Sequence, residues 1–314
     1  MRVVITGGAG FIGANLAINM YTEGFEVVIV DDLSTGNLDN LTGLDVQFEQ
    51  GSILDPDLLD RVLVGTDAVV HLAAIPSVPR SLTDPVATHH ANATGTLEVL
   101  EAVRRAGGPH VVVASSSSVY GASPTMPKHE EMHVAPLSPY AVTKLATETY
   151  ALAYHHSFGL DVLPFRFFNV FGPLQPAGHA YAAVVPAFLD AALSGLPIPV
   201  HGDGTQTRDF TYVGDVAQVI TEAVRQRVMS ADPVNLAFGG RTSLNSLIGL
   251  LESILGRPLT RESLPPRAGD VPHSQADCSR LSSLFPSLRP VPLEEGVERT
   301  TTWMSDARKS VERP

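Results

Sequence analysis

Cysteine is almost missing from this chain: Cys278 is the only one in 314 residues. No intrachain disulfide can form and a Cys-rich metal site is excluded, which fits a reducing compartment. Lysine is nearly as scarce, with only Lys128, Lys144 and Lys309 present. The 21 basic against 33 acidic residues leave a formal charge of −12. That balance argues against a nucleic-acid or anionic-membrane surface, each of which needs an excess of Lys and Arg on one face. It leaves room for a small anionic ligand, for which two or three well-placed cations suffice. No stretch reaches the roughly 18 unbroken apolar residues of a membrane span. The longest candidate, 180–193, is interrupted by Pro186 and Asp190. The chain runs directly into Arg2-Val3-Val4-Ile5 without a signal-peptide layout, so a soluble, cytoplasmic protein is expected.

What is present describes a globular protein, with 44% hydrophobic and 17% charged residues. Its length lies near the size at which one core gives way to two lobes. Charge is unevenly spread: residues 1–150 hold 7 basic and 17 acidic side chains, residues 151–314 hold 14 and 16. Short apolar runs at Arg2–Thr6, Glu26–Asp31, Val46–Glu49, Ala68–Leu72, His110–Ser115 and Asp161–Phe168 read as strands. Helix-length segments such as Asn92–Ala106 and Ser138–Phe158 fall between them. Nearly continuous apolar strands alternating with helices predict an α/β fold, a doubly wound parallel sheet of Rossmann type. After about residue 172 Pro and Gly become frequent and the alternation is lost. The expected division is a dinucleotide-binding domain at 1–172, to which later segments return, and a smaller mixed α/β lobe at 173–314. The polar tail Ser305–Pro314 is expected to fray.

Three motifs carry chemistry. Thr6-Gly7-Gly8-Ala9-Gly10-Phe11-Ile12-Gly13 follows the first strand, and Asp31 closes the second strand 18 residues beyond Gly13. Such glycines let backbone N–H groups and a helix N-terminus approach a pyrophosphate. A carboxylate at Asp31 accepts from ribose hydroxyls and repels a 2′-phosphate, and no Arg or Lys follows at 32–36, which favours NAD over NADP. Tyr140 and Lys144 stand four apart on a predicted helix and share a face. Lowering a tyrosine from about 10 to near neutrality requires about 4 kcal/mol, which an ammonium and a nicotinamide cation could supply. Ser115-Ser116-Ser117-Ser118 ends an apolar strand, where ligands bind in open α/β sheets.

With these motifs the chain resembles the extended short-chain dehydrogenase/reductase family, and within it the UDP-sugar 4-epimerases. The resemblance extends to His71-Leu72-Ala73-Ala74, Arg166-Phe167-Phe168-Asn169-Val170-Phe171-Gly172-Pro173, Gly202-Asp203-Gly204-Thr205-Gln206-Thr207-Arg208-Asp209-Phe210 and Arg267-Ala268-Gly269-Asp270-Val271. It implies NAD as cofactor, held by Gly7, Gly10, Phe11, Ile12 and Gly13, by Asp31 and Asp32, by Ser52 and Ile53, by Leu72, Ala73 and Ala74, and by Tyr140, Lys144 and Phe167. Ser52 departs from the family, which often has an aspartate there against adenine. The resemblance implies Tyr140 as base, Lys144 on the nicotinamide ribose and Ser116 on the reacting hydroxyl. For a UDP-sugar substrate it implies contacts from Ser77, Ser116 and Ser117, and it places Asn169, Arg208 and Arg267 on the phosphates and Asp270 on the uridine ribose. Ala183, Val184 and Val185 belong to the stretch near uracil, and Ser274 borders the sugar. No metal is expected.

The implied reaction has Tyr140 remove the 4-hydroxyl proton as hydride leaves C4 for NAD. The resulting 4-keto sugar rotates and receives hydride on its other face. A small Ser274 would leave room for a 2-acetamido group, so UDP-glucose with tolerance for UDP-N-acetylglucosamine is the expected substrate, and UDP-glucuronate the alternative. Dehydratases carry Asp-Glu where this chain has Ser-Ser, and decarboxylases tend to carry Glu where it has Ser118. A non-catalytic NAD sensor commonly lacks the Tyr/Lys pair. The resemblance also implies a homodimer through the helices at Asn92–Ala106 and Ser138–Phe158, with Leu97, Leu100, Leu145 and Leu152 at helical spacing.

Overall fold

The β-branched runs do become strands, and the computed structural model describes residues 1–177, 183–265 and 271–311. Strands β1 (Arg2–Thr6), β2 (Glu26–Asp31), β3 (Gln47–Gln50), β4 (Ala68–His71), β5 (His110–Ser116) and β6 (Val162–Phe167) build most of one sheet. Five short strands follow: β7 (Val170–Phe171), β8 (Ile198–His201), β9 (Thr207–Arg208), β10 (Thr211–Tyr212) and β11 (Val234–Leu236). Two more, β12 (Thr242–Ser243) and β13 (Arg261–Leu264), complete the set. The main sheet has seven strands in the order β11-β6-β5-β4-β1-β2-β3, every neighbouring pair parallel.

Helices α1 (Phe11–Thr22), α2 (Pro56–Val62), α3 (Val78–Thr83), α4 (Pro85–His89), α5 (Gly95–Arg105) and α6 (Pro139–Phe158) belong to the first half. Helices α7 (Val184–Leu193), α8 (Val213–Gln226), α9 (Leu244–Leu255), α10 (Ser279–Leu284) and α11 (Leu293–Val311) belong to the second. Strand alternation separates two core layers. Val3 and Ile5 join Leu16 and Met20 of α1 and Val219 and Ile220 of α8 on one face. Val4 joins Leu59 of α2, Leu100 and Val103 of α5 and Ala151 of α6 on the other. Each such side chain contributes about 1.5–3 kcal/mol on burial, so both sheet faces are firmly covered. A third core, with Phe188, Leu189, Leu247, Ile248, Leu251 and Val297, belongs to the smaller lobe of α7, α9 and α11 and the β8/β13 ribbon.

Several boundaries differ from the sequence reading. The run expected as Asn92–Ala106 divides into a π-helical turn, His90–Thr94, and the α-helix from Gly95. The wide turn lets Gly95 pack directly on Ile53, whose Cδ1 occupies the space a Cβ would take. Leu100 is fully buried, Leu97 and Leu152 pack on the same core, and Leu145 packs beside Val119 and Phe168. Leu100 therefore serves the monomer core, while Leu97, Leu145 and Leu152 remain partly exposed beside it. The third strand is shifted by one residue to Gln47–Gln50. Helix α11 continues to Val311, through most of the tail expected to fray. Among the described residues no helix is long and apolar enough to cross a membrane, and no cluster of three or more His, Cys, Asp or Glu could hold a metal ion.

Candidate active site

From β1 the chain moves outward through β2 and β3, then returns to place β4 on the other side of β1. The crevice beyond the C-terminal ends of β1 and β4 is thus the switch point where ligands bind in such sheets. Gly7 lies there with φ +72°, and a Cβ on it would stand 2.7 Å from Ala73 N. A Cβ on Gly13 would collide with the Gly7 carbonyl oxygen. Gly10 caps α1 without any side-chain bond, leaving the first-turn N–H groups of a 12-residue helix aimed at the crevice. Asp31 Oδ2 accepts from Ala9 N at 3.0 Å and Oδ1 from Leu33 N at 2.9 Å. Burial pushes its carboxyl above the usual range, and the two N–H bonds oppose that shift. Gly36 closes the far side, where a Cβ would come within 2.8 Å of Asp31 Oδ1.

A bare glycine cradle, an uncapped helix end and a buried acid beside them fit a dinucleotide. Leu72 N bonds Thr6 O at 3.1 Å and Ala73 N bonds Thr6 Oγ1 at 3.3 Å, which fixes Leu72-Ala73-Ala74 along the crevice. Asp32 turns to Ser34 N at 2.9 Å, and Ser52 Oγ accepts from Leu54 N at 3.2 Å. Ile53 is buried under α5, while Phe11, Ile12 and Phe167 are partly buried around the crevice.

Tyr140 and Lys144 enter from α6. Its start is fixed by Ser138, whose Oγ accepts from Ala141 N at 3.2 Å, and by Pro139 in the first turn. Lys144, 6% exposed, donates from Nζ to Ala114 O at 2.8 Å, and burial pushes it down to about 8. Tyr140 is half-buried and hydrogen-bonded to Ser116. Burial moves its hydroxyl above the usual tyrosine value, and the Ser116 bond opposes this. In the protein by itself burial thus raises Tyr140, and the depression expected from Lys144 together with a nicotinamide cation is not present. Ser116 Oγ also accepts from Ser118 N at 3.2 Å, closing the 3₁₀ turn Ser117–Tyr120 that holds Ser117 at the site's edge.

Two buried networks that sequence reasoning missed support these groups. Behind Lys144, Glu148 forms a two-pronged pair with Arg166: Nε to Oε2 at 3.0 Å and Nη2 to Oε1 at 2.6 Å. Ser115 Oγ donates to the same carboxylate at 2.7 Å, and the Arg166 guanidinium lies 4.7 Å over the Tyr120 ring. Under the crevice, His71 bridges Thr6 Oγ1 at 2.8 Å and Thr96 Oγ1 at 3.0 Å. Thr96 gives its proton to Asn92 O at 2.6 Å, so His71 Nε2 is the donor to Thr96 and Nδ1 accepts from Thr6. Burial first, then the charge of Lys144, pushes His71 down to about 3, so the ring is neutral. Asn92 Nδ2 reaches Thr143 Oγ1 at 3.0 Å, and Thr143 donates to Tyr140 O at 2.8 Å. The signal was four-residue spacing of polar side chains, Asn92/Thr96 and Thr143/Thr147, on otherwise buried helix faces.

Across the crevice, Asn169 adopts φ +33° and donates from Nδ2 to Asp209 O at 3.0 Å. Arg208 is buried, with Nη1 bonded to Thr207 O at 2.9 Å and Pro272 O at 3.3 Å. Ser274 N bonds Thr207 O at 3.0 Å, so Asn169, Arg208 and Ser274 meet around β9. Ser77 caps α3, its Oγ accepting from Arg80 N at 3.2 Å. Ala183 is the exposed cap of α7, Val184 is half-buried and Val185 points into the smaller lobe's core. Arg267 and Asp270 lie outside the described residues, as do 180–182 of the stretch expected near uracil.

Residues 3–237 match the NAD dependent epimerase/dehydratase family. Over 306 residues, 96% of this chain and 97% of the relative, the chain is 37% identical to a UDP-glucose 4-epimerase of Mycolicibacterium smegmatis. A UDP-glucuronate 4-epimerase of Thermodesulfobacterium geofontis is 35% identical over 318 residues, covering 96% of each chain. Among solved structures, a UDP-N-acetylglucosamine 4-epimerase from Methanobrevibacter ruminantium in complex with UDP-N-acetylmuramic acid superposes with a TM-score of 0.92 at 35% identity, covering 98% of each chain.

Proposed function

The chain belongs to the NAD dependent epimerase/dehydratase family, and we propose that it inverts C4 of a UDP-hexose through a transient 4-keto sugar. The observation that carries this is the meeting of Tyr140, Ser116 and Lys144 at the end of β5, which lies beside β4 and pairs Ser116 with Phe167 of β6, two residues before Asn169. NAD, when bound, supplies a reversible hydride acceptor. Its holders are the backbone of Gly7, Gly10 and Gly13, the Asp31 carboxylate, Leu72-Ala73-Ala74 and Lys144. In this reading Tyr140 Oη takes the 4-hydroxyl proton and later returns it, while Ser116 orients that hydroxyl. Lys144 supplies positive charge that favours the tyrosinate. Arg208 and Asn169, with Arg267 and Asp270, hold UDP fixed so that the sugar alone turns.

We divide the labour between residues 1–172, with β11 and α8 added to the sheet layer, for the cofactor, and 173–314 mainly for the nucleotide sugar. UDP-glucose and UDP-N-acetylglucosamine are the proposed substrates, because Ser274 is small. The serine turn supports epimerisation over dehydration, since Ser116 and Ser117 offer no carboxyl pair to eliminate water. A cytoplasmic homodimer is proposed, docking through the exposed apolar residues Leu82, Val86, Val142 and Tyr150 of α3, α4 and α6. The test is product chromatography over a panel of UDP-hexoses. The C4 epimer of UDP-glucose or UDP-N-acetylglucosamine is expected, and turnover of UDP-glucuronate alone would overturn the substrate assignment.

A further inference from the structure

The residues assigned to the UDP phosphates come from distant parts of the chain, and one side chain ties their segments together. Asp209 directly follows Arg208 and is wholly buried. Its Oδ1 accepts from Gly240 N at 3.0 Å and its Oδ2 from Ala276 N at 3.0 Å. The N–H groups of Phe238 and Gly239 bond it as well. Its own carbonyl receives Asn169 Nδ2 at 3.0 Å. Asn169, Arg208 and Ser274 therefore each lie at, or within two residues of, a hydrogen bond or peptide link to Asp209. The 238–240 turn closes tightly on it: a Cβ on Gly240 would stand 3.3 Å from Oδ1.

Resting on the UDP-sugar reading above, we propose that Asp209 is a positioning residue for nucleotide-sugar binding. Its ionised carboxylate holds the 238–240 turn and the segment around Ser274 against Arg208 and Asn169. An ionised carboxylate is purely an acceptor and can serve several N–H groups at once. A proton or an amide in its place sets a donor against those N–H groups and leaves some of them buried without a partner. Burial pushes this carboxyl up to about 6, with the four N–H bonds pulling the other way, so the charge is lost in mild acid. The titratable and charged neighbours are Arg208 beside it, His273, whose Nδ1 bonds Thr207 Oγ1 at 2.9 Å, and Asp215. Asp215 lines the same cavity of about 160 Å³ and is flanked by Arg299 and Glu295.

The test uses the full-length, NAD-loaded enzyme and UDP-glucose, whose diphosphate is a diester that does not titrate in mild acid. Asp209→Asn is expected to raise KM about 10- to 100-fold at neutral pH, with kcat within about threefold of the wild type. The wild-type KM should climb as pH falls through about 6, the climb should vanish in Asp209→Asn, and Asp215→Asn should behave as wild type. A KM within about twofold of wild type, or a fall in kcat at constant KM, overturns the proposal. So does an acid-side climb that survives in Asp209→Asn, which would belong to another group. Should Asp209→Asn fail to fold, Gly240→Ala presses on Oδ1 from the other side, and an unchanged KM there overturns the proposal equally. A wild type that binds no UDP-hexose instead brings down the UDP-sugar reading itself.

Discussion

Glu148→Ala is the sharpest perturbation of the helix that presents Tyr140 and Lys144. The Glu148 and Arg166 side chains are only 3% and 4% exposed, and the pair is two-pronged at 2.6 and 3.0 Å. Truncation leaves a buried guanidinium with Glu130 O at 3.3 Å and Tyr120 as its partners among the described residues. Stranding one member of a buried pair costs about 3–5 kcal/mol. Ser115 also loses its carboxylate acceptor but keeps Lys144 O at 3.1 Å, which limits its added cost. Removing both charges in Glu148→Met/Arg166→Met leaves no stranded ion, and such replacements are often close to neutral. A double-mutant cycle of Glu148→Met, Arg166→Met and the double variant in urea, followed by circular dichroism, should therefore give a coupling above about 3 kcal/mol, because each single variant strands its partner and the double strands neither. Because Glu148 lies one turn beyond Lys144, kcat should fall in Glu148→Ala along with stability. Single variants each costing less than about 1 kcal/mol, or strictly additive costs, would refute the reasoning.

Three other outcomes follow from the same geometry. Tyr140→Phe should lower kcat about 10²- to 10⁴-fold while UDP-glucose affinity changes little, and a milder loss in a product assay would remove Tyr140 as the base. Gly13→Ala drives a Cβ into the Gly7 carbonyl, so NAD released from the denatured protein should fall sharply; wild-type NAD content would contradict the crevice assignment. Asp215 is pushed up to about 6 by burial, above its unfolded value, so the stability it contributes is complete in acid and lost as pH rises through about 6. Asp215→Asn should accordingly gain about 1.4 kcal/mol relative to wild type between pH 5 and pH 8 in urea unfolding, and a loss over that interval would reverse the sign.

Much of the fold was legible because its strands are buried on both faces. β1, β2 and most of β4–β6 stand where unbroken apolar runs placed them, and the Gly7–Gly13 turn joins β1 to α1 as its spacing required. β3 was one residue off because Gln47-Phe48-Glu49-Gln50 is an edge strand with no apolar run to set its ends. The π-turn before Gly95 was invisible, since it answers to a tertiary contact with Ile53. Tyr140 and Lys144 could be named from local spacing, and Ser116 from the family resemblance. What His71, Arg166 and Asp209 do inside their motifs, and what Glu148 does, could not be read, because their partners come from remote segments that only folding brings together. The upward shift of Tyr140 was missed for a related reason: a sequence shows the lysine four residues away but not the depth of burial.

The claim that hydride leaves and returns to the same carbon is tested most directly with UDP-glucose deuterated at C4. Incubated with the NAD-loaded protein in ordinary water, it should yield the C4 epimer with deuterium still on C4 and no accumulation of NADH. Loss of the label to solvent, or label retained without any inversion, would contradict the account.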